Sequence, residues 1–151
     1  MAKIGDFLGP EAKREFVVRN LIPGQVVYLE VRFPNRTRNK YLVLVGESSP
    51  DCLTFVVNSE TNDFISCRPD LNICQVKISA ATHAFLERDS NVACHEVLSL
   101  PKEEVIGELM ADTSRIKGMI SQEVRGEIAA AVKQARTIDR ATVEAILAAL
   151  G

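Results

Sequence analysis

A chain of 151 residues and 16.6 kDa is the size of one ordinary domain and long enough to bury a real core, which argues against a multidomain assembly. With 46% hydrophobic and 25% charged residues its composition is globular, so wholesale disorder and fibrous repeats are excluded. A net charge of −2 and an aromatic content of 5% with no Trp exclude a uniformly basic coat for duplex DNA and a surface of many base-stacking rings, leaving room for a local basic groove.

In chain order, residues 10–20 read as a helix within an N-terminal extension, 1–23. From Gly24 the pattern is that of strands. Val27, Leu29, Val31 and Phe33 alternate with Tyr28, Glu30 and Arg32, which predicts a half-buried antiparallel strand. Residues 34–39 then read as a basic loop containing Arg36 and Arg38, and the unbroken apolar run 41–45 reads as a central strand ending at Gly46. Further strands are expected at 53–57, 75–78 and 92–98, with 64–68 a weaker one.

After Pro101 the period changes. Pro101 followed by Lys102, Glu103 and Glu104 opens a helix with carboxylates at the positive end of its dipole, and Val105, Ile106, Leu109 and Met110 form its apolar stripe. A second helix is expected over 121–136 and a third from the N-cap candidate Asp139 to Leu150. The expectation is a single domain, 1–151, mainly β with C-terminal helices: a small antiparallel barrel at 24–100 followed by a helical part at 101–151.

No run of 18 apolar residues is present, and Met1 to Pro10 lack the basic start and apolar block of a secretion signal, so a cytoplasmic protein without membrane contact is expected. Cys52, Cys67, Cys74 and Cys94 contain no C-x-x-C pair and read as free buried thiols. A zinc site made from them with His83 and His95 lacks the usual ligand spacing, so neither metal nor cofactor is expected.

Several segments, taken in order, carry a resemblance. They are Gly24-Gln25-Val26-Val27-Tyr28-Leu29, the basic loop, Lys40-Tyr41-Leu42-Val43-Leu44-Val45, a strand ending Val57-Asn58-Ser59, the approach Asp89-Ser90-Asn91-Val92, and Ile106-Gly107-Glu108-Leu109. Together they resemble the MazF/PemK/Kid family of toxins from toxin–antitoxin systems, over roughly residues 24–132. The resemblance implies an SH3-like barrel, a homodimer, and a metal-independent endoribonuclease that cuts single-stranded RNA and is neutralised by a cognate antitoxin. The chain departs from the family where an Arg-Pro pair is Lys40-Tyr41, and where an Arg-x-Asp pair is Ala93 and His95.

Such chemistry needs a base near the ribose 2′-hydroxyl, positive charge for the phosphorane, and an acid for the departing oxygen. Lys40 with Arg36 and Arg38 suits the phosphate, His95 suits proton transfer, Ser59 offers a hydroxyl, and Glu60 or Glu96 can assist the imidazole. Plainer readings stand beside these: a solvated basic turn, a structural His95, turn chemistry at Ser59, a packing Cys94 and a surface His83. The stripe of the last helix reads as a packing or dimer face. The alternative function is a catalytically inactive barrel that serves as a protein-binding module.

Overall fold

Alternation in residues 25–33 and the apolar run at 41–45 become two adjacent inner strands of one antiparallel sheet. The computed structural model describes residues 9–59, 69 and 73–151. Its elements are α1 (Pro10–Asn20), β1 (Gln25–Phe33), β2 (Arg36–Ser48), β3 (Asp51–Asn58), β4 (Gln75–Ile78), β5 (Ser90–Ala93), β6 (Leu98–Pro101), α2 (Lys102–Ala111), β7 (Ile116–Met119), α3 (Gln122–Gln134) and α4 (Arg140–Leu150), with a 3-10 turn (Thr113–Arg115) before β7. The strand order is β4-β5-β3-β2-β1-β7, and β6 also pairs with β3. Among the described residues no ladder joins β4 to β7. The sheet is a curled half-barrel followed by helices.

Both faces of the sheet are covered. Val27, Leu29 and Val31 of β1 and Leu42 and Leu44 of β2 pack with Val17 and Leu21 of the N-terminal segment and with Val105, Ile106 and Leu109 of α2. On the opposite face Val26, Val43, Val45 and Phe55 pack against Val124, Ile128 and Val132 of α3 and Ile146 and Leu150 of α4. The period of two in the strands sends alternate side chains to these two clusters, which is why the run 41–45 is apolar at every position. Val17 of α1 is 0% exposed, so this helix of the N-terminal segment is part of the core and not an appendage. The apolar stripe of α4 is a packing face for the same reason.

Three expectations are corrected, and one strand is unexpected. Residues 34–39 are not a loop: the chain turns at Pro34 and Asn35, and β2 already begins at Arg36, paired with Phe33. The strand expected at 92–98 is split into β5 and β6 by a turn at 94–97. Val57 pairs with Val92 and Thr54 with Leu98, so a step of three residues on β3 spans six on this strand, and the excess loops out. His83 is 3% exposed and not on the surface. Its Nδ1 donates to the Ser79 carbonyl at 2.9 Å, while Nε2 accepts from Ser121 N–H at 3.1 Å and satisfies a donor at the start of α3. Finally, β7 carries no sequence signal, being four residues interrupted by Gly118. The weak strand expected at 64–68 lies outside the described residues.

One junction ties the layers together. Arg125 of α3 donates from Nε to the Leu150 carbonyl at 2.7 Å, from Nη2 to the Ala149 carbonyl at 3.3 Å, and from Nη1 to the Pro23 carbonyl at 3.0 Å. The guanidinium thereby satisfies carbonyls at the negative end of α4 and holds the entry to β1. Gly24 has φ +93° and donates to the Leu44 carbonyl at 2.7 Å; a Cβ there would lie 2.8 Å from Arg125 Nη1. Gly24→Ala is therefore expected to destabilise the fold by about 1–3 kcal/mol, from left-handed strain plus displacement of the guanidinium. Urea unfolding checks this, and an unchanged midpoint would show that the junction contributes nothing.

Candidate nucleic-acid interface

The start of β2 at Arg36 changes the meaning of the basic segment. Arg36, Arg38 and Lys40 are two residues apart on a strand, so their side chains share one face, continuing the row of Leu42 and Leu44. Where α1 and α2 no longer cover that face, the row lines an open cleft of about 920 Å³ whose walls also include Asn58, Ser59, Gln75, His95 and Glu96. Arg36 and Arg38 are exposed and Lys40 is half-buried.

Lys40 Nζ donates to Asn58 Oδ1 at 3.1 Å. Burial lowers its pKa below the ordinary lysine value, and the nearby Arg38 and Arg36 push in the same direction. Burial and both arginines disfavour positive charge here, so an anion entering the cleft relieves the crowding of the cations.

His95 stands on the looped-out turn between β5 and β6. Gln75 Nε2 donates to its Nδ1 at 3.1 Å, which leaves the neutral ring with its proton on Nε2. Rotating the Gln75 amide half a turn presents Oε1 instead; the proton then moves to Nδ1 and Nε2 becomes a free base. Burial lowers the His95 pKa below the ordinary imidazole value, opposed by Glu96. The backbone of the turn is held from the C-terminal part: Thr137 Oγ1 donates to the His95 carbonyl.

The cleft thus gathers five of the residues singled out as catalytic or RNA-binding in the sequence, Arg36, Arg38, Lys40, Ser59 and His95, together with the supporting Glu96. Ser59 is exposed directly after β3, at the strand end expected for it. Glu60 lies outside the described residues. Cys94 is fully buried, donates its backbone N–H to the Cys74 carbonyl at 3.0 Å, and has its thiol pushed far up by burial, so it packs and does not act as a thiolate. Among the described residues no group of three or more His, Cys, Asp or Glu side chains is gathered at one place. Nor is any helix there long and apolar enough to cross a membrane.

Sequence reasoning missed Asn58 and Gln75, the two residues that hold Lys40 and His95. A strand-end asparagine beside a flagged serine was a faint signal for the first; nothing local marked the second. No protein-family model matches the chain, and no curated protein matches it in sequence.

The depressed His95 pKa has a consequence for stability. Between the folded value and the unfolded value of about 6.5 the unfolded chain binds more protons, so this group makes the fold more stable as pH rises through that window and contributes no further change above it. Wild type is therefore expected to lose stability relative to His95→Asn as pH falls below about 6.5. Paired urea titrations measure the difference, which cancels carboxylate effects common to both chains. A pH-independent difference would place His95 in free solvent.

Proposed function

We propose that this chain is a metal-independent endoribonuclease of toxin type that cuts single-stranded RNA in the basic cleft, works as a homodimer and is neutralised by a cognate antitoxin covering the cleft. The observation that carries the reading is a row of three cations on one strand face, in the same cleft as an imidazole held by a neutral amide. The cytoplasm is the compartment that offers this substrate.

Arg36, Arg38 and Lys40 hold the scissile phosphate and offset charge on the phosphorane, the arginines by paired donors and the lysine as a point charge. Once the Gln75 amide is turned so that Oε1 accepts from a protonated Nδ1, His95 Nε2 removes the 2′-hydroxyl proton. The 2′-oxygen then bonds to phosphorus, the bond from phosphorus to the 5′-oxygen breaks, and that oxygen takes a proton from a solvent water while the imidazolium returns its own proton to solvent, giving a cyclic phosphate and a free 5′-hydroxyl. A neutral His95 suits the base and not the acid. Ser59 donates to a phosphate oxygen, and Glu96, exposed beside His95, stabilises the imidazolium formed.

A second reading is favoured by the departures from the family pattern. Lysine replaces the arginine at position 40 and is already engaged by Asn58, and the described cleft has one imidazole and no evident acid. That combination fits a barrel that binds a protein partner and cuts nothing.

Incubation with single-stranded RNA in excess chelator separates the two readings. Lys40→Ala is expected to weaken both RNA binding and cleavage, with the binding loss shrinking at high salt. His95→Ala is expected to lower the cleavage rate by about 10²–10⁴-fold with binding little changed. The wild-type rate should rise with pH and level off below the ordinary imidazole pKa, the direction set by burial of the ring. Wild-type cleavage per folded molecule in His95→Ala would refute the catalytic assignment, and a clean monomer by sedimentation would refute the dimer.

A further inference from the structure

The ribbon formed by β1 and the first half of β2 has a second face, opposite the cations. There the register places Tyr28 across from Tyr41, with ring centroids 4.8 Å apart. Phe85 extends the cluster, 6.2 Å from the Tyr41 ring, and its carbonyl accepts a hydrogen bond from the Tyr41 hydroxyl at 3.2 Å. Two cations stand over the Tyr28 ring, Arg115 at 5.8 Å and Lys117 at 5.7 Å from its centroid. Arg115 is fixed by donating to the Tyr28 carbonyl at 2.8 Å and to Asn39 Oδ1 at 3.1 Å. Among the described residues neither cation forms an ion pair. The three rings are half-buried, so part of each remains open.

Among the described residues three carboxylates lie on this side or at the open edge of β1, one of them Glu108 of α2, whose Oε1 accepts from the Glu30 N–H at 3.2 Å. Exposed Glu30 follows Tyr28 on the same face of β1, and Glu87 acts electrostatically on Tyr41. They subtract from the positive charge without pairing with Arg115 or Lys117. The combination that remains, rings with open edges and cations beside them, suits an unpaired base and its phosphate: the rings supply π-surface and the cations meet the backbone.

The two faces are connected. The register between β1 and β7 ends at Val27, so no strand flanks β1 from Tyr28 onward among the described residues. Exposed Arg32 belongs by alternation to the Tyr28 face of β1 and also lines the basic cleft. A chain held by Arg36 and Arg38 passes Arg32 to reach the rings without crossing a covered strand.

We infer that this aromatic face is a base-stacking platform for single-stranded RNA, continuing the path of the strand held in the basic cleft round the edge of the ribbon. The inference rests on the reading that the cleft binds RNA. It gives that reading's preference for single-stranded RNA a physical basis, because a paired base has no free face to offer the rings.

The sequence supplies the probe. The chain has two Tyr and no Trp, and both tyrosines are in this pair, so tyrosine emission reports on this face alone. The intact protein is titrated with a short 2′-O-methylated oligoribonucleotide, which resists cleavage, while the anisotropy of a label on the oligonucleotide and the absorbance-corrected tyrosine emission are followed together. The expected result is that both signals saturate at the same concentration. Inorganic polyphosphate, which has charge and no bases, is expected to bind without changing the emission. Tyr28→Leu is expected to weaken binding about fivefold or more and Tyr28→Phe to keep it near wild type. Lys117→Gln, a surface change that spares the rings, is expected to flatten the salt dependence by about one unit of slope. Saturated anisotropy with unchanged tyrosine emission overturns the platform and leaves the cleft reading standing. A Tyr28→Leu protein that keeps its native circular dichroism and binds as tightly as wild type does the same. No change in anisotropy overturns both, starting with the cleft.

Discussion

The length of β2 governs both the fold and the site. Thirteen residues of extended strand run about 43 Å, whereas α1 and α2, with 11 and 10 residues, are each only about 15–17 Å long. Helices of that size cover part of the strand and no more. Over residues 42–45 β2 is buried on both faces, with Leu42, Val43 and Val45 at 0% exposure and Leu44 at 3%. Over residues 36–39 it is exposed on both. One strand is therefore a core element at one end and a projecting arm at the other. Arg36 and Arg38 stand exposed on the arm because neither α1 nor α2 packs over them.

That division explains what could be read from the sequence and what could not. The covered half of β2 was legible because burial on two faces demands an unbroken apolar run. The same principle, with the period of 3.6, made the helices legible, and the caps Ser121 and Asp139 mark their starts through side-chain bonds to Val124 N–H and Thr142 N–H. The uncovered half read as a loop because an exposed strand carries no apolar alternation. Its spacing of cations at 36, 38 and 40 was the strand period written in charge. The split between β5 and β6 was invisible for a different reason: Val92 to Leu98 is a chemically even stretch, and only the register of its partner β3 shows three residues too many. His83 was misplaced because its acceptor is four residues back and its donor, Ser121, is 38 residues away.

Electrostatics in the cleft pull in two directions that chemistry on a phosphodiester can use together. Cations two residues apart on a strand face have anchor points about 7 Å apart, where each pair repels by roughly 0.6 kcal/mol even at the dielectric of water. A polyanion removes that cost. Burial, by contrast, favours the neutral form of the His95 ring. Each residue is held by an uncharged amide, Lys40 by Asn58 and His95 by Gln75, so the support neither cancels the lysine's charge nor favours one on the imidazole. A carboxylate in either place would have neutralised the lysine or charged the histidine.

His95 also shows why the C-terminal helices belong to the site. Its turn consists of the residues by which the strand overshoots β3, and a free excess of that kind has no fixed direction. Here the turn is held from behind by Thr137, in the short link between α3 and α4, while Val97 and Ile138 pack against the same core as those helices. The Arg125 junction fixes α3 against the end of α4 and against the entry to β1. The orientation of the imidazole thus depends on packing that begins at the far end of the chain. Cations on β2 stand where they do because α1 and α2 fail to reach them; the histidine lines the same cleft because α3 and α4 hold the turn behind it.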